Sequence, residues 1–176
     1  MNWKVFMISC CKSTKQMGTK RKDDKNRNIT PYFSVIIPTL NEERYLPLLL
    51  HDLTKQTFQD FEVILVDAES EDKTVKKAQS FYSKLNLTIH AVHERNVSYQ
   101  KNYAASKAVG TYLVFLDADT RIPGSFMKNL HSETQKSKYT IYLPTLLPLK
   151  GAYRDDVLFR LVNLMIELSQ TIGKPL

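Results

Sequence analysis

Three short apolar runs, each stopping at a cluster of carboxylates and hydroxyls, predict an α/β domain with a Rossmann-like, mostly parallel sheet flanked by helices. The runs occupy residues 33–37, 61–66 and 112–116. They are short and rich in β-branched and aromatic residues, as strands covered on both faces are. Helical patterns separate them, which gives a β-α-β-α-β order with parallel neighbours. A parallel sheet brings all its carboxyl ends to one rim, where open α/β sheets hold their ligands.

Each element has a local reason. The first run leads into Pro38-Thr39-Leu40-Asn41-Glu42-Glu43. Asn41 is the expected N-cap of a helix over residues 41–55, with Pro47 near the first turn, where a missing N–H costs least. The second run ends at Asp67-Ala68-Glu69-Ser70-Glu71-Asp72. A helix is expected over 72–85, with Val75, Ala78, Phe81, Tyr82 and Leu85 on one face. Residues 87–92 alternate and predict a strand. A third helix is expected over 98–109, with Gly110 at C′. The third run ends at Asp117-Ala118-Asp119, and Pro123 is expected in the first turn of a helix over 123–136. A further strand over 139–143 precedes a loop marked by Pro144 and Pro148.

The chain has 176 residues, 43% of them hydrophobic, enough for one domain with a substantial core. Its net charge of +7 would suggest a nucleic-acid partner, but the charge is segregated. Residues 1–30 hold eight basic side chains against Asp23 and Asp24. Of 25 basic and 18 acidic residues, that leaves 17 and 16 for residues 31–176, which are nearly neutral. Residues 1–31 therefore read as a disordered basic arm and residues 32–176 as the folded domain, with no nucleic acid expected. The arm suits an anionic membrane surface or RNA, but the preferred reading is an ordinary solvated extension or an early start, Met17 being another candidate.

Several chemistries are excluded. The five glycines, Gly18, Gly110, Gly124, Gly151 and Gly173, are too dispersed for a P-loop or a dinucleotide fingerprint. No Gly-x-Ser-x-Gly elbow occurs. His51, His90, His93 and His131 lack metal-ligand spacing and read as surface or packing residues. Cys10 and Cys11, adjacent in the basic arm, form no disulfide framework or four-ligand zinc site, and a reducing cytoplasm is the simplest compartment. No stretch reaches the roughly 18–20 apolar residues of a membrane span. Residues 157–172 read as an amphipathic helix that packs on the domain, with a membrane surface or a partner chain as alternatives.

The pair Asp117 and Asp119 carries the most information. Two hard oxygen ligands at a strand end suit Mg²⁺ or Mn²⁺ holding a diphosphate. The competing reading is a polar strand-to-loop turn. With acid-rich ends on two neighbouring strands, and no glycine-rich phosphate loop, acids plus metal are the expected means of holding a nucleotide.

The run from Phe33 to Glu43 resembles the opening of family 2 glycosyltransferases of the GT-A fold. Gln56-Thr57-Phe58 before Phe61 to Asp67, then Ser70 and Asp72-Lys73-Thr74, continue the likeness. Lys101-Asn102 before Ala105, followed by Gly110 through Asp119, complete it over roughly residues 32–135. The resemblance implies an inverting transfer from a nucleotide-diphosphate sugar, with a UDP-sugar favoured, to a hydroxyl of a glycan, lipid or protein, as in cell-envelope glycan biosynthesis. It places Thr39 and Glu42 at the nucleoside, and Asp67 as acceptor of hydrogen bonds from base or ribose. It places Arg95 and Lys101 near the diphosphate with Asn102 supporting the same loop, Asp117 on the ribose and metal side, and Asp119 on the metal.

Two departures from the family pattern stand out. Ala68-Glu69 follows Asp67 where the family usually has small residues, often glycine. The family's acceptor-side base lies in a segment downstream of Leu176, and nothing supports Asp155, Asp156 or Glu167 in that role. The chain thus reads as a donor-binding part lacking the acceptor-side segment, either an incomplete enzyme or a non-catalytic nucleotide-sugar-binding module.

Overall fold

The computed structural model describes residues 8–9, 30–136 and 141–142. In chain order the elements are β1 Ile8–Ser9, β2 Phe33–Thr39, α1 Leu46–Thr54, β3 Phe61–Asp67, α2 Thr74–Gln79, β4 Leu87–Ala91, α3 Val97–Lys107, β5 Tyr112–Phe115, α4 Phe126–Lys136 and β6 Ile141–Tyr142. Four strands form a wholly parallel sheet in the order β4-β3-β2-β5. Ile8 and Ser9, within the arm expected to be disordered, pair antiparallel with Tyr142 and Ile141. The remainder of that arm, and residues 157–172, lie outside the described residues.

Both faces of the sheet are buried, which explains why its central strands read as nearly unbroken apolar runs. Phe33, Val35 and Ile37 of β2 point to one face, with Val63 and Leu65 of β3, against Leu46, Leu49, Leu50 and Leu53 of α1 and Met127 and Leu130 of α4. Ile36, Ile64, Val66 and Leu113 point to the other, against Ala104 of α3. The period-2 alternation thus sorts two apolar sets between two helical layers.

The chain steps outward from β2 to β3 to β4, then returns across β2 to form β5 on its other side. The reversal makes the carboxyl end of β2 a topological switch point, where a crevice opens between diverging connections.

Four helix expectations are corrected. Asn41 is not an N-cap: it has φ 56°, and α1 begins at Leu46 with Tyr45 as its N-cap and Pro47 in its first turn. The helix expected over 72–85 is six residues of α2 followed by turns, and Tyr82 is exposed rather than on the buried face. Gly110 is not a left-handed C′ residue. It lies beyond Ala108, the C-cap of α3, and a Cβ there would come within 2.6 Å of Ser34 N and Oγ. Close approach to β2 is what requires glycine. Pro123 likewise precedes α4, and its carbonyl accepts from Phe126 N at 3.0 Å.

Candidate functional site

Thr39 and Asp67 are register partners at the last residues of β2 and β3. Each is only 2% exposed, so the pair lies just beneath the rim. Thr39 Oγ1 shares its proton between Asp67 Oδ1, at 3.1 Å, and Val66 O, at 3.3 Å. Ser70 donates its amide to Asp67 Oδ2 at 2.8 Å and its hydroxyl to Oδ1. A nearly buried carboxylate needs such donors, and here they come from β2 and from the loop after β3.

That loop is knitted to the one after β2. Asn41 N donates to Ser70 Oγ at 2.8 Å, and Glu71 N returns a bond to Asn41 Oδ1 at 2.9 Å. Glu42 N reaches Thr74 Oγ1 at 2.8 Å, and Glu43 N reaches Asp72 Oδ2 at 3.1 Å. Lys73 N donates to Glu43 Oε2 and Lys77 Nζ to Glu43 O. Burial alone would raise the Asp72 carboxyl. The hydroxyl and amide of Thr74, the amide of Glu43 and the charge of Lys77 outweigh it and hold the group below its ordinary value. Each of these two loops carries one residue in the left-handed backbone region, Asn41 at φ 56° and Glu69 at φ 55°.

The third loop joins from β4. Arg95 donates to Glu71 Oε1 at 2.7 Å and to Glu69 O at 3.4 Å, which raises the guanidinium above its ordinary value. His93 Nδ1 lies 2.5 Å from Glu69 Oε1. Arg95 is therefore turned toward the loop after β3. Asn96 caps α3, accepting from Ser98 N at 2.9 Å and Tyr99 N at 3.0 Å.

Lys101 projects from α3 to Asp117, Nζ to Oδ1 3.3 Å, both side chains about one-third exposed. Asn102 is exposed on the next position of α3. Asp117 and Asp119 follow β5, where Leu116 N still donates to Ile36 O and Thr120 N closes a turn onto Asp117 O at 3.0 Å. Both carboxylates are partly exposed. Thr120 Oγ1, in the next position, is buried with no hydrogen-bond partner among the described residues.

The fold brings Thr39, Asp67, Lys101 and Asp117 to the switch-point rim, with Glu42, Arg95, Asn102 and Asp119 on its flanking loops and helix. The donor set fits a divalent cation only in part. Asp117 and Asp119 are hard oxygen ligands, but no group of three metal-ligating side chains occurs among the described residues. A cation held there needs phosphate oxygens to complete its shell, as Mg²⁺ with nucleotides does.

Sequence reasoning missed two positioning residues. Gln100, 4% exposed, donates from Nε2 to Thr39 O at 2.9 Å and to Val66 O at 2.8 Å. A buried amide thus ties α3 to the ends of β2 and β3. Asp52 of α1 takes a two-point bond from Arg121, at 2.6 and 2.9 Å, and the Ile122 amide at 3.2 Å. This fixes the segment after Asp119. A polar residue at a helix position that faces the sheet was the available signal in both cases.

Residues 34–165 match the family model described as Glycosyl transferase family 2. A PGL/p-HBAD biosynthesis glycosyltransferase of Mycobacterium tuberculosis is 43% identical over 91 residues, 51% of this chain and 36% of that protein. Poly(ribitol-phosphate) beta-N-acetylglucosaminyltransferase TarS of Staphylococcus aureus is 37% identical over 101 residues, 55% of this chain and 18% of that protein. The matches thus take in about a third or less of these curated relatives. The crystal structure of S. aureus TarS 1-349 in complex with UDP-GlcNAc superposes with TM-score 0.55 and 35% identity, over 59% of this chain and 31% of that one. A mannosyltransferase from Pyrobaculum calidifontis in complex with GDP-Man and Mn²⁺ gives TM-score 0.50 and 29% identity, over 53% and 29%.

Proposed function

The chain belongs to glycosyl transferase family 2 and has the GT-A fold, and we propose that it supplies the donor half of an inverting, metal-dependent transfer from a nucleotide-diphosphate sugar to a hydroxyl. The observation that carries this is the convergence of Thr39, Asp67, Lys101 and Asp117 at the switch point of a parallel sheet. Thr39, Glu42 and Asp67 form the nucleoside side. Lys101 and Asn102 face the diphosphate, Arg95 braces the flanking loop through Glu71, and Asp117 and Asp119 would hold a divalent cation together with phosphate oxygens.

Glycosyl transfer expels a nucleoside diphosphate, so negative charge grows on the leaving group as the bond breaks. When bound, a Mg²⁺ or Mn²⁺ ion supplies Lewis-acid stabilisation of that charge. Lys101 adds a mobile positive charge from the α3 side, and Asp117 orients the ribose. The knitted loops after β2 and β3 preorganise the nucleoside side before the donor arrives. UDP is the preferred nucleotide, supported by the UDP-GlcNAc complex of TarS. The acceptor is proposed as a hydroxyl of a cell-envelope glycan or lipid, supported by the names of the curated relatives. No described residue is assigned as the base that deprotonates it. A second reading, a segment that binds the donor without itself turning it over, uses the same donor site.

Calorimetric titration with UDP, GDP and dTDP, each with and without Mn²⁺, tests the proposal. Metal-dependent binding of one nucleotide is expected, and binding of none would end it. Release of UDP from a UDP-sugar in the presence of a hydroxyl acceptor separates the enzyme from the binding module.

A further inference from the structure

The Lys101–Asp117 pair has a consequence for the order in which the site fills. The ammonium lies 3.3 Å from Asp117 Oδ1, on one of the two carboxylates expected to hold a divalent cation. Neither partner's backbone is free to drift. α3 is pinned at Gln100 by two bonds to the ends of β2 and β3, and Asp117 is held between the Leu116 and Thr120 amide bonds. The adjustable part is the four-carbon arm of Lys101, which is partly exposed.

We propose that Lys101 is a resident counter-ion of Asp117 that couples cation binding to the arrival of the nucleotide diphosphate. This rests on the donor-site reading above. A divalent ion at Asp117 would sit against the ammonium, and two positive charges at that separation repel. The ammonium must then leave, which is unfavourable unless another anion receives it. A nucleoside diphosphate is such an anion: it accepts Lys101 and supplies the oxygens that two carboxylates alone do not provide. Cation and nucleotide should therefore bind with positive coupling, and by linkage each raises the affinity of the other equally. Lys101 works against the cation in the empty site and for the diphosphate in the filled one.

The test measures Mn²⁺ affinity directly, by the electron paramagnetic resonance of free Mn²⁺, with and without UDP. Lys101→Met keeps the length of the arm and removes its charge, and Lys101→Arg keeps the charge. Without UDP, Lys101→Met is expected to bind Mn²⁺ about fivefold more tightly than the native chain, the scale of a partly exposed ion pair. Its gain on adding UDP should shrink, and Lys101→Arg should stay near the native values. Asp119→Ala reports Mn²⁺ bound elsewhere, and an unchanged urea midpoint shows that the fold is kept. Unchanged or weaker Mn²⁺ binding by Lys101→Met, with native coupling intact, would overturn the counter-ion role and leave the donor site standing. UDP binding with no Mn²⁺ dependence in the native chain would remove the metal reading and this inference together. No UDP binding at all would remove the donor site itself.

Discussion

Thr39 and Asp67 stand opposite each other at the last register position of β2 and β3, and the threonine hydroxyl donates to the carboxylate at 3.1 Å. Two residues 28 apart in sequence thereby become one hydrogen-bonded unit. Ser70 supplies two further donors to the same carboxylate. The last turn of each strand is thus ordered by its neighbour rather than by itself.

Asp67→Asn is the first test of that unit. An amide has one acceptor oxygen where the carboxylate has two, so at least one of the three donors faces an NH₂ group. Charge-assisted bonds of this kind contribute about 1.5–3 kcal/mol. UDP affinity should fall about tenfold or more, measured by calorimetry, with a parallel loss of about 1–2 kcal/mol in urea unfolding.

The two left-handed residues predict opposite outcomes. Glu69, at φ 55°, stands where glycine would carry no steric penalty, so Glu69→Gly should stabilise the chain by about 0.5–1 kcal/mol. Its ion pair with His93 is exposed and offsets little. Asn41, at φ 56°, uses its side chain to accept from Glu71 N, so Asn41→Gly should bring no gain or a loss of about 1 kcal/mol. Urea midpoints of the two variants measured together decide the matter.

The strands and the rim were legible because their signals are local. An apolar run buried on both faces has no polar residue until it ends, and the first polar residues there lie on the rim. Asp67 and Asp117 could be placed in this way. Asn41 could not, because its left-handed turn is fixed by Ser70 and Glu71 some 30 residues later. The early start expected for α1 fails for the same reason: the amides of Asn41, Glu42 and Glu43, which a helix would leave for capping, are already committed to the neighbouring loop. Glu69 was legible as a departure from a small residue, and its positive φ explains why a small residue suits that place.

Gly110→Ala should be costly despite an ordinary φ. The added Cβ would lie 2.6 Å from Ser34 N and Oγ and 2.7 Å from Phe33 C, and backbone cannot swing aside as a side chain does. Ser34 Oγ also accepts from Gly110 N at 2.8 Å and donates to Glu62, so any separation loosens this junction. A loss of about 2–3 kcal/mol is expected, read from the shift in thermal unfolding.

Arg121→Met isolates the pair that fixes the segment after Asp119. Burial would raise the Asp52 carboxyl, but the Arg121 hydrogen bonds, the Ile122 amide and the charges of Arg121 and His51 hold it below the ordinary 3.8. A depressed folded value means that the stabilisation is present above the unfolded value and is lost as pH falls through the folded one. The variant should therefore be about 1–2 kcal/mol less stable at pH 7, after allowance for the exposure of Arg121. That difference should shrink below about pH 4 as Asp52 becomes protonated. Urea unfolding at pH 7 and pH 3 measures it, and a difference that grows with acid would contradict the assignment.

Gln100→Met addresses positioning rather than contact. The amide lies beneath the rim and gives both its donors to Thr39 O and Val66 O. Thr39 O keeps the Ala68 amide at 3.0 Å when Gln100 is lost, and Val66 O keeps its place in the β2–β3 ladder and a share of the Thr39 hydroxyl. What is lost is the tie from α3 to the ends of β2 and β3, which loosens the Thr39–Asp67 unit on the nucleoside side. Stability should fall by about 1–2 kcal/mol. UDP affinity should fall with it by about tenfold, because the loops it needs are no longer fixed. A purely structural amide would lower the urea midpoint and leave UDP affinity unchanged under conditions where the chain stays folded. A residue that sets the rim would lower both, and calorimetry on the folded variant separates the two.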